Sequence, residues 1–213
     1  MRNLFRSLSL LLLLATVVCC APVREQPAAP QKPPVTFSSL LVLPVDPVIS
    51  VKEASDKDKV QALQQGAAVM DELLAAYLEE HQIPGLTFLT ENQLESHIAS
   101  RTGSRLSLGL EVAKDMKIDA LLCMRLSRFS ERQGNKYSVK APASLAFEFK
   151  LVHTGTGEVL CSGSFDGSQQ TLFENLFSFS AKKSLRWLTI REFAENALQK
   201  KLDACEALQA ARP

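Results

Sequence analysis

This chain lacks an excess of charge of either sign. Its 213 residues carry 24 Lys and Arg against 23 Asp and Glu, a formal net charge of +1 at pH 7. Nucleic-acid binding needs a basic footprint, and no basic stripe interleaved with aromatics supplies one, so that class of partner is excluded. Histidine is equally scarce. His81, His97 and His153 are widely separated, and none has a Cys or carboxylate at ligand spacing, so neither zinc nor another metal is expected. A phosphate loop is lacking too: Gly155-Thr-Gly157 is followed by no helix and no Walker lysine, and it reads as a turn. Ser104 and Ser107 sit in no nucleophile-elbow pattern. Pairing about the Gly155–Gly157 turn puts Cys161 opposite about Lys150, away from His153, which argues against a Cys–His dyad. The chain therefore reads as non-enzymatic and without a cofactor. Two carboxylates converging in a cleft, Glu148 with Asp166, would revive an enzymatic reading.

Long apolar runs are also in short supply. The run from Leu8 to Val18 is too short to span a bilayer comfortably, and it follows Arg2 and Arg6, the basic-then-apolar order of a secretory signal peptide. A signal-anchor helix is the alternative. The end of the run, Val17-Val18-Cys19-Cys20, resembles the lipobox of bacterial lipoproteins, in which the Cys becomes the lipidated mature N-terminus. That resemblance implies a signal peptide over residues 1–19 and a lipid on Cys20. Taking Cys19 as the acceptor would place bulky Val18 before it. Cleavage after Ala21 is disfavoured by Pro22. Ala21 after the acceptor, rather than Asp, implies an outer-membrane, periplasm-facing address. Each buried acyl methylene would contribute about 0.8 kcal/mol to anchoring in the lipid bilayer. Removal of Arg2 and Arg6 leaves 22 basic against 23 acidic residues.

Residues 20–37 form a tether. The stretch Pro22 to Thr36 holds five of the ten prolines, cannot build a core, and at about 3.1 Å per residue reaches some 40–45 Å. The remaining cysteines, Cys123, Cys161 and Cys205, are an odd number in an oxidising compartment, so at most one disulfide forms among them. Cys123 and Cys161 fall on strands flanking a middle one, about 10 Å apart and too far to bridge. Buried structural thiols are the favoured reading.

The domain over residues 38–170 reads as β-α-β-α-β-β-β-α. Ser39 to Val45 suits a buried strand. Val60, Leu63, Ala67, Met70, Leu74 and Tyr77 recur at helical spacing from Ser55 or Asp56 onward, ending near Glu79-Glu80 and Pro84-Gly85. Gly66 within that helix costs about 1 kcal/mol relative to Ala, which points to close packing on the sheet. Leu86 to Leu89 is a second strand, and Thr90 with Gln93 forms a capping box for a helix to about Ser100. Thr102 to Ser107 reads as a polar turn, Leu108 to Met116 as a short helix, and Ile118 to Leu126 as a strand running toward Arg132. In Ser144–Phe165, Leu145, Phe147, Phe149 and Leu151 alternate with mainly polar residues, the pattern of a half-buried hairpin strand. The fold class is therefore α/β (α+β): a mixed five-stranded sheet, parallel in its first part and closed by an antiparallel C-terminal hairpin.

A helical extension over residues 171–213 follows, with Thr189 and Glu192 as a second capping box and a helix to about Ala207. Its aromatics Phe173, Phe177, Phe179 and Trp187 cover an arc wider than one helix face buries. They are candidates for core packed across the sheet or for a partner-binding surface.

Four stretches in this order, LLVLPV, LTFLTENQLESHIA, EVAKDMKIDALLCMRLS and LAFEFKLVHTGTGEVLCSGSF, resemble the periplasmic lipoproteins of the CsgG/LpoB type, whose domain is related to the N-terminal domain of TolB. The likeness covers about Ser38 to Gly167. It implies a mixed sheet with helices on one or both faces. It also implies a non-enzymatic role, as an adaptor or activator that binds another envelope protein, or as a subunit of a homo-oligomeric secretion or assembly complex. A CsgG-type pore adds barrel hairpins of about ten residues per strand, for which Gln133–Lys140 and Asp46–Lys57 are too short.

Overall fold

The computed structural model describes residues 36–50, 54–99, 101–134, 139–169 and 188–213. Its strands are β1 (Leu40–Val42), β2 (Asp46–Pro47), β3 (Leu86–Phe88), β4 (Ala120–Ser130), β5 (Gln133–Gly134), β6 (Val139–Ala141), β7 (Ser144–His153) and β8 (Val159–Ser168). The helices are α1 (Lys57–Glu80), α2 (Glu91–Ile98), α3 (Arg105–Asp115), α4 (Ile190–Asp203) and α5 (Glu206–Ala210).

The main sheet has the order β3-β1-β4-β7-β8. β1 runs parallel to both β3 and β4, whereas β4-β7-β8 is antiparallel. This is the mixed sheet with a C-terminal hairpin that the pattern predicts. Strand β1 is buried on both faces, as a central parallel strand must be. The expected polar connection after it begins with β2, which pairs with the far end of β4; Pro47 costs no hydrogen bond there, and Val48 N–H donates to Leu126 O at 2.8 Å. The expected Gln133–Lys140 loop carries the small β5–β6 ladder.

Local chemistry sets the helix starts. Asp56 accepts from Lys59 N–H at 3.2 Å to begin α1, and the Thr90–Gln93 and Thr189–Glu192 capping boxes form as the sequence predicts. Helix α3 starts earlier than expected, at Arg105 rather than Leu108, because Ser104 Oγ accepts from Ser107 N–H at 3.2 Å. The last predicted helix is broken in two: α4 stops at Asp203, and Cys205 precedes α5.

The core has two unequal layers. On one face Leu122, Met124, Leu126, Leu145, Phe147, Phe149 and Leu151 pack with Leu63, Met70, Leu74 and Leu78 of α1 and Ala194, Leu198 and Leu202 of α4. On the other, Leu41, Leu43 and Leu121 pack with Leu94 of α2 and Val112 and Ala113 of α3. The second layer does not reach the hairpin, where Glu148, Lys150, Ser162 and Ser164 are exposed. Gly66 has the predicted cause: a Cβ there would lie 2.4 Å from Cγ of Phe129, whose ring lies against α1.

One expectation about the hairpin is overturned. A bulge between Leu151 and Val152 pairs Cys161 with Leu151 rather than Lys150. A slip of one residue moves a side chain to the opposite face. Cys161 therefore sits on the Leu/Phe face, where it forms a disulfide with Cys205 across a Cα–Cα distance of 5.7 Å. The buried-thiol reading fails for this pair. Cys123 pairs across to Lys150 on the other face and remains a free thiol, its pKa pushed up by burial.

Candidate functional site

The lipidation residue Cys20 and the partner-binding candidates Phe173, Phe177, Phe179 and Trp187 lie outside the described residues. The two carboxylates that could have revived an enzymatic reading are each held by an arginine. Glu148 accepts from Arg125 at 2.7 Å, and Asp166 pairs with Arg128. His81 closes the C-terminus of α1 and stacks on Tyr77 with ring centroids 4.1 Å apart, His97 lies in α2, and His153 Nδ1 accepts from Thr156 N–H at 3.2 Å. Among the described residues no group of three or more His, Cys, Asp and Glu converges as metal ligands would.

The hairpin's bare face holds a cavity of about 390 Å³ over Cys123, lined by Arg105, Arg125, Glu148 and Lys150 among others. Arg125 there bridges Glu148 and Asp46, the latter at 3.7 Å, so most of this charge is internally matched and solvated.

A larger groove of about 840 Å³ opens between α1 and edge strand β3, toward the carboxyl ends of the parallel strands. Open α/β sheets leave such crevices because their connections diverge at that end. One wall is α1 from Gln64 to Ala75; Ala67, Ala68 and Ala75 line it, and their small side chains keep it wide. The floor is the Val42–Pro47 segment, and the far rim is Phe88, Leu89, Thr90 and Glu91. Phe88 is 39% exposed, a large aromatic standing at the end of a sheet.

Charge in the groove is arranged unevenly. Arg105 from α3 donates to both Glu91 carboxylate oxygens, at 2.6 and 2.8 Å, and to Pro44 O at 3.0 Å. That bidentate contact holds the Glu91 carboxyl below the usual carboxylate range. Glu72 accepts from Arg191 at 2.8 Å, and Asp46 is near Arg125. Asp71 differs: its Oδ1 accepts from Val45 N–H at 2.8 Å, and the ion pairs found among the described residues do not include it. Burial raises its pKa, and the Val45 N–H and the nearby Arg105 charge only partly offset that effect. The sequence carried a signal for Asp71, a carboxylate four residues from both Ala67 and Ala75 inside the apolar stripe of α1. Phe88 gave none, because a three-residue strand does not reveal which face stays open.

The opposite end of the domain is closed by polar contacts around α4. Tyr77 Oη–H donates to Asp203 at 2.8 Å, and Arg212 donates to Tyr77 Oη at 2.8 Å and to Asp203 at 3.2 Å. Burial, with the Asp203 contact, pushes the Tyr77 pKa up to about 12.

No family model matches this chain, and no curated protein does. Solved structures similar to it include a PelC dodecamer from Paraburkholderia phytofirmans, at 12% identity and TM-score 0.47, covering 85% of this chain and 94% of that one. Lipoprotein GNA1162 from Neisseria meningitidis is similar at 16% identity and TM-score 0.35, over 66% of this chain and 93% of that one. The C-terminal domain of LpoB from Escherichia coli is similar at 19% identity and TM-score 0.33, over 63% of this chain and 86% of that one. Likenesses this distant carry no weight for what the chain does.

Proposed function

We propose that this chain is a lipid-anchored protein of the cell envelope, of the CsgG/LpoB type, that works without chemistry of its own by binding another envelope protein. The observation that carries the reading is the Cys161–Cys205 disulfide between β8 and the end of α4. Structural disulfides persist in oxidising compartments and are rare in the cytosol. The domain thus agrees with the signal-like run before Cys20 on an exported address. A proline-rich tether then joins the lipid to the folded domain, whose chain enters the sheet at the amino end of β1, where Ser38 N–H donates to Asp119 at 3.0 Å. The groove opens toward the other end of that strand. The internally paired carboxylates of the hairpin favour a scaffold over a catalyst.

Mass spectrometry of the protein extracted from its membrane tests this directly. The expected result is an acylated N-terminal Cys20 and an intact Cys161–Cys205 bond; an unprocessed N-terminus with Cys161 and Cys205 as free thiols would overturn it. Crosslinking in intact cells should then recover one envelope protein. A second reading, a homo-oligomeric assembly, is favoured by β8, a ten-residue strand with a ladder partner on one side among the described residues. Light scattering that finds monomers with lipid present would remove it.

A further inference from the structure

Strand β3 ends the sheet, and among the described residues β1 is its sole partner. Leu40 N–H donates to Gly85 O, and Leu89 N–H donates to Val42 O, so residues 85, 87 and 89 turn their backbone groups toward β1. Because these groups alternate along a strand, Leu86 and Phe88 direct theirs outward. Phe88 pairs with Val42, which belongs to the core layer shared with α1, so its ring stands on the groove side of the sheet. The α1 wall from Gln64 to Ala75 is about 16 Å long at 1.5 Å per residue, a length that about five extended residues cover. The wall thus matches the length of a short strand.

We infer that the groove between α1 and β3 receives an extended segment of the partner, which adds to the free edge of β3 and carries a Lys or Arg between two apolar residues on its inward face. This deepens the proposed binding role and rests on it. Outward N–H and C=O groups of Leu86 and Phe88 supply the ladder, as in other cases of strand addition. Phe88 and the alanines of α1 take the apolar side chains. Asp71 takes the cation: Glu91, Glu72 and Asp46 each have an arginine in direct contact, whereas half-buried Asp71 has a backbone N–H as its direct contact and feels Arg105 from a distance. Among the described residues Arg105 is the one arginine lining a groove that holds four carboxylates, and both its terminal nitrogens donate to Glu91. Its field therefore only partly balances Asp71, and the groove favours an arriving cation over an anion.

The test uses the full chain in detergent and a fluorescein-labelled peptide, Leu-Ser-Lys-Ser-Leu, with Leu-Ser-Glu-Ser-Leu and a backbone N-methylated Lys peptide as comparisons. Anisotropy should show saturable binding of the Lys peptide, and about tenfold or greater loss for the other two, the usual penalty of a rejected charge or a broken ladder. Asp71→Asn keeps an acceptor for Val45 N–H and should erase the preference for Lys over Glu. Asp71→Lys should reverse it. Phe88→Ser should weaken the Lys peptide without changing the preference. Absence of saturable binding at millimolar peptide, or a preference that Asp71→Asn leaves intact, overturns the site. In-cell crosslinking separates the two levels: a partner captured through the β8 side alone contradicts the groove and leaves the binding role standing, whereas no partner at all contradicts both.

Discussion

The two edges of the sheet are finished in opposite ways. At one edge, β8 runs for ten residues, its outer face carries small and polar groups such as Ser162, Ser164 and Asp166, and Cys161 bonds it to the end of α4. At the other, β3 lasts three residues, no bond ties it down, and Phe88 stands exposed beside an open groove. Edges invite unwanted pairing, and proteins usually blunt them with polar residues, bulges or coverage. β8 follows that rule with its bulge and its serines. β3 is blunted only by being short. On the proposed reading, the edge left beside a cavity, in a chain that protects its other edge, is the one that receives the partner.

Breaking the disulfide should have the largest effect. The bond closes a loop of 44 residues, and the loop-closure estimate for that length is about 4 kcal/mol at 25 °C. Cys205→Ser, or reduction of the native protein, should lower Tm by about 10 °C, with amide exchange rising first in α4 and α5. An unchanged melt would mean that the β8 edge is held without the bond.

Gly66→Ala comes next, because it disturbs the seat of the helix that forms the groove wall. The new methyl meets the Phe129 ring, and overpacking outweighs the gain in helix propensity, for a net loss of about 1–2 kcal/mol in denaturant titration. Phe129→Leu in the same chain should recover part of it.

Phe88→Ser sharpens the comparison from the other side. An exposed side chain supports little of the fold, so stability should stay within about 0.5 kcal/mol while partner binding falls. The matching change at the β8 edge, Val159→Ser, at a position 51% exposed, should leave both unaltered.

Asp71→Asn should have a small effect on stability, and its sign is informative. A carboxyl whose folded pKa is raised stabilises the fold fully below its unfolded pKa, and that contribution is lost as pH rises through the folded value. Above its folded pKa the ionised Asp71 is therefore a cost, and there Asn should raise Tm by about 1–2 °C. Below about pH 4, where the unfolded carboxyl is also protonated, the two proteins should melt together.

Much of this architecture was readable in the residues. Alternation placed Leu145 to Leu151 on the buried face, Thr90–Gln93 and Thr189–Glu192 announced two helices, and Gly66 announced a close approach. Failures arose where a single residue changes the geometry. The bulge at Leu151–Val152 turned Cys161 to the opposite face and concealed its pairing with Cys205. Ser104 started α3 within what reads as a polar turn. The groove was hidden for a different reason: its walls come from α1, β3 and the β1–β2 segment, and their juxtaposition is a property of topology rather than of any local pattern. The aromatic candidates at Phe173, Phe177, Phe179 and Trp187 remain proposals for a contact surface, beside a groove that the pattern did not foretell.

A photoreactive residue placed at position 88 or 68, and separately at 159 or 164, gives the most direct test of the account in intact cells. The account predicts an adduct with one and the same envelope protein from 88 and 68, and none from 159 and 164. Adducts formed from 159 and 164 alone would contradict it.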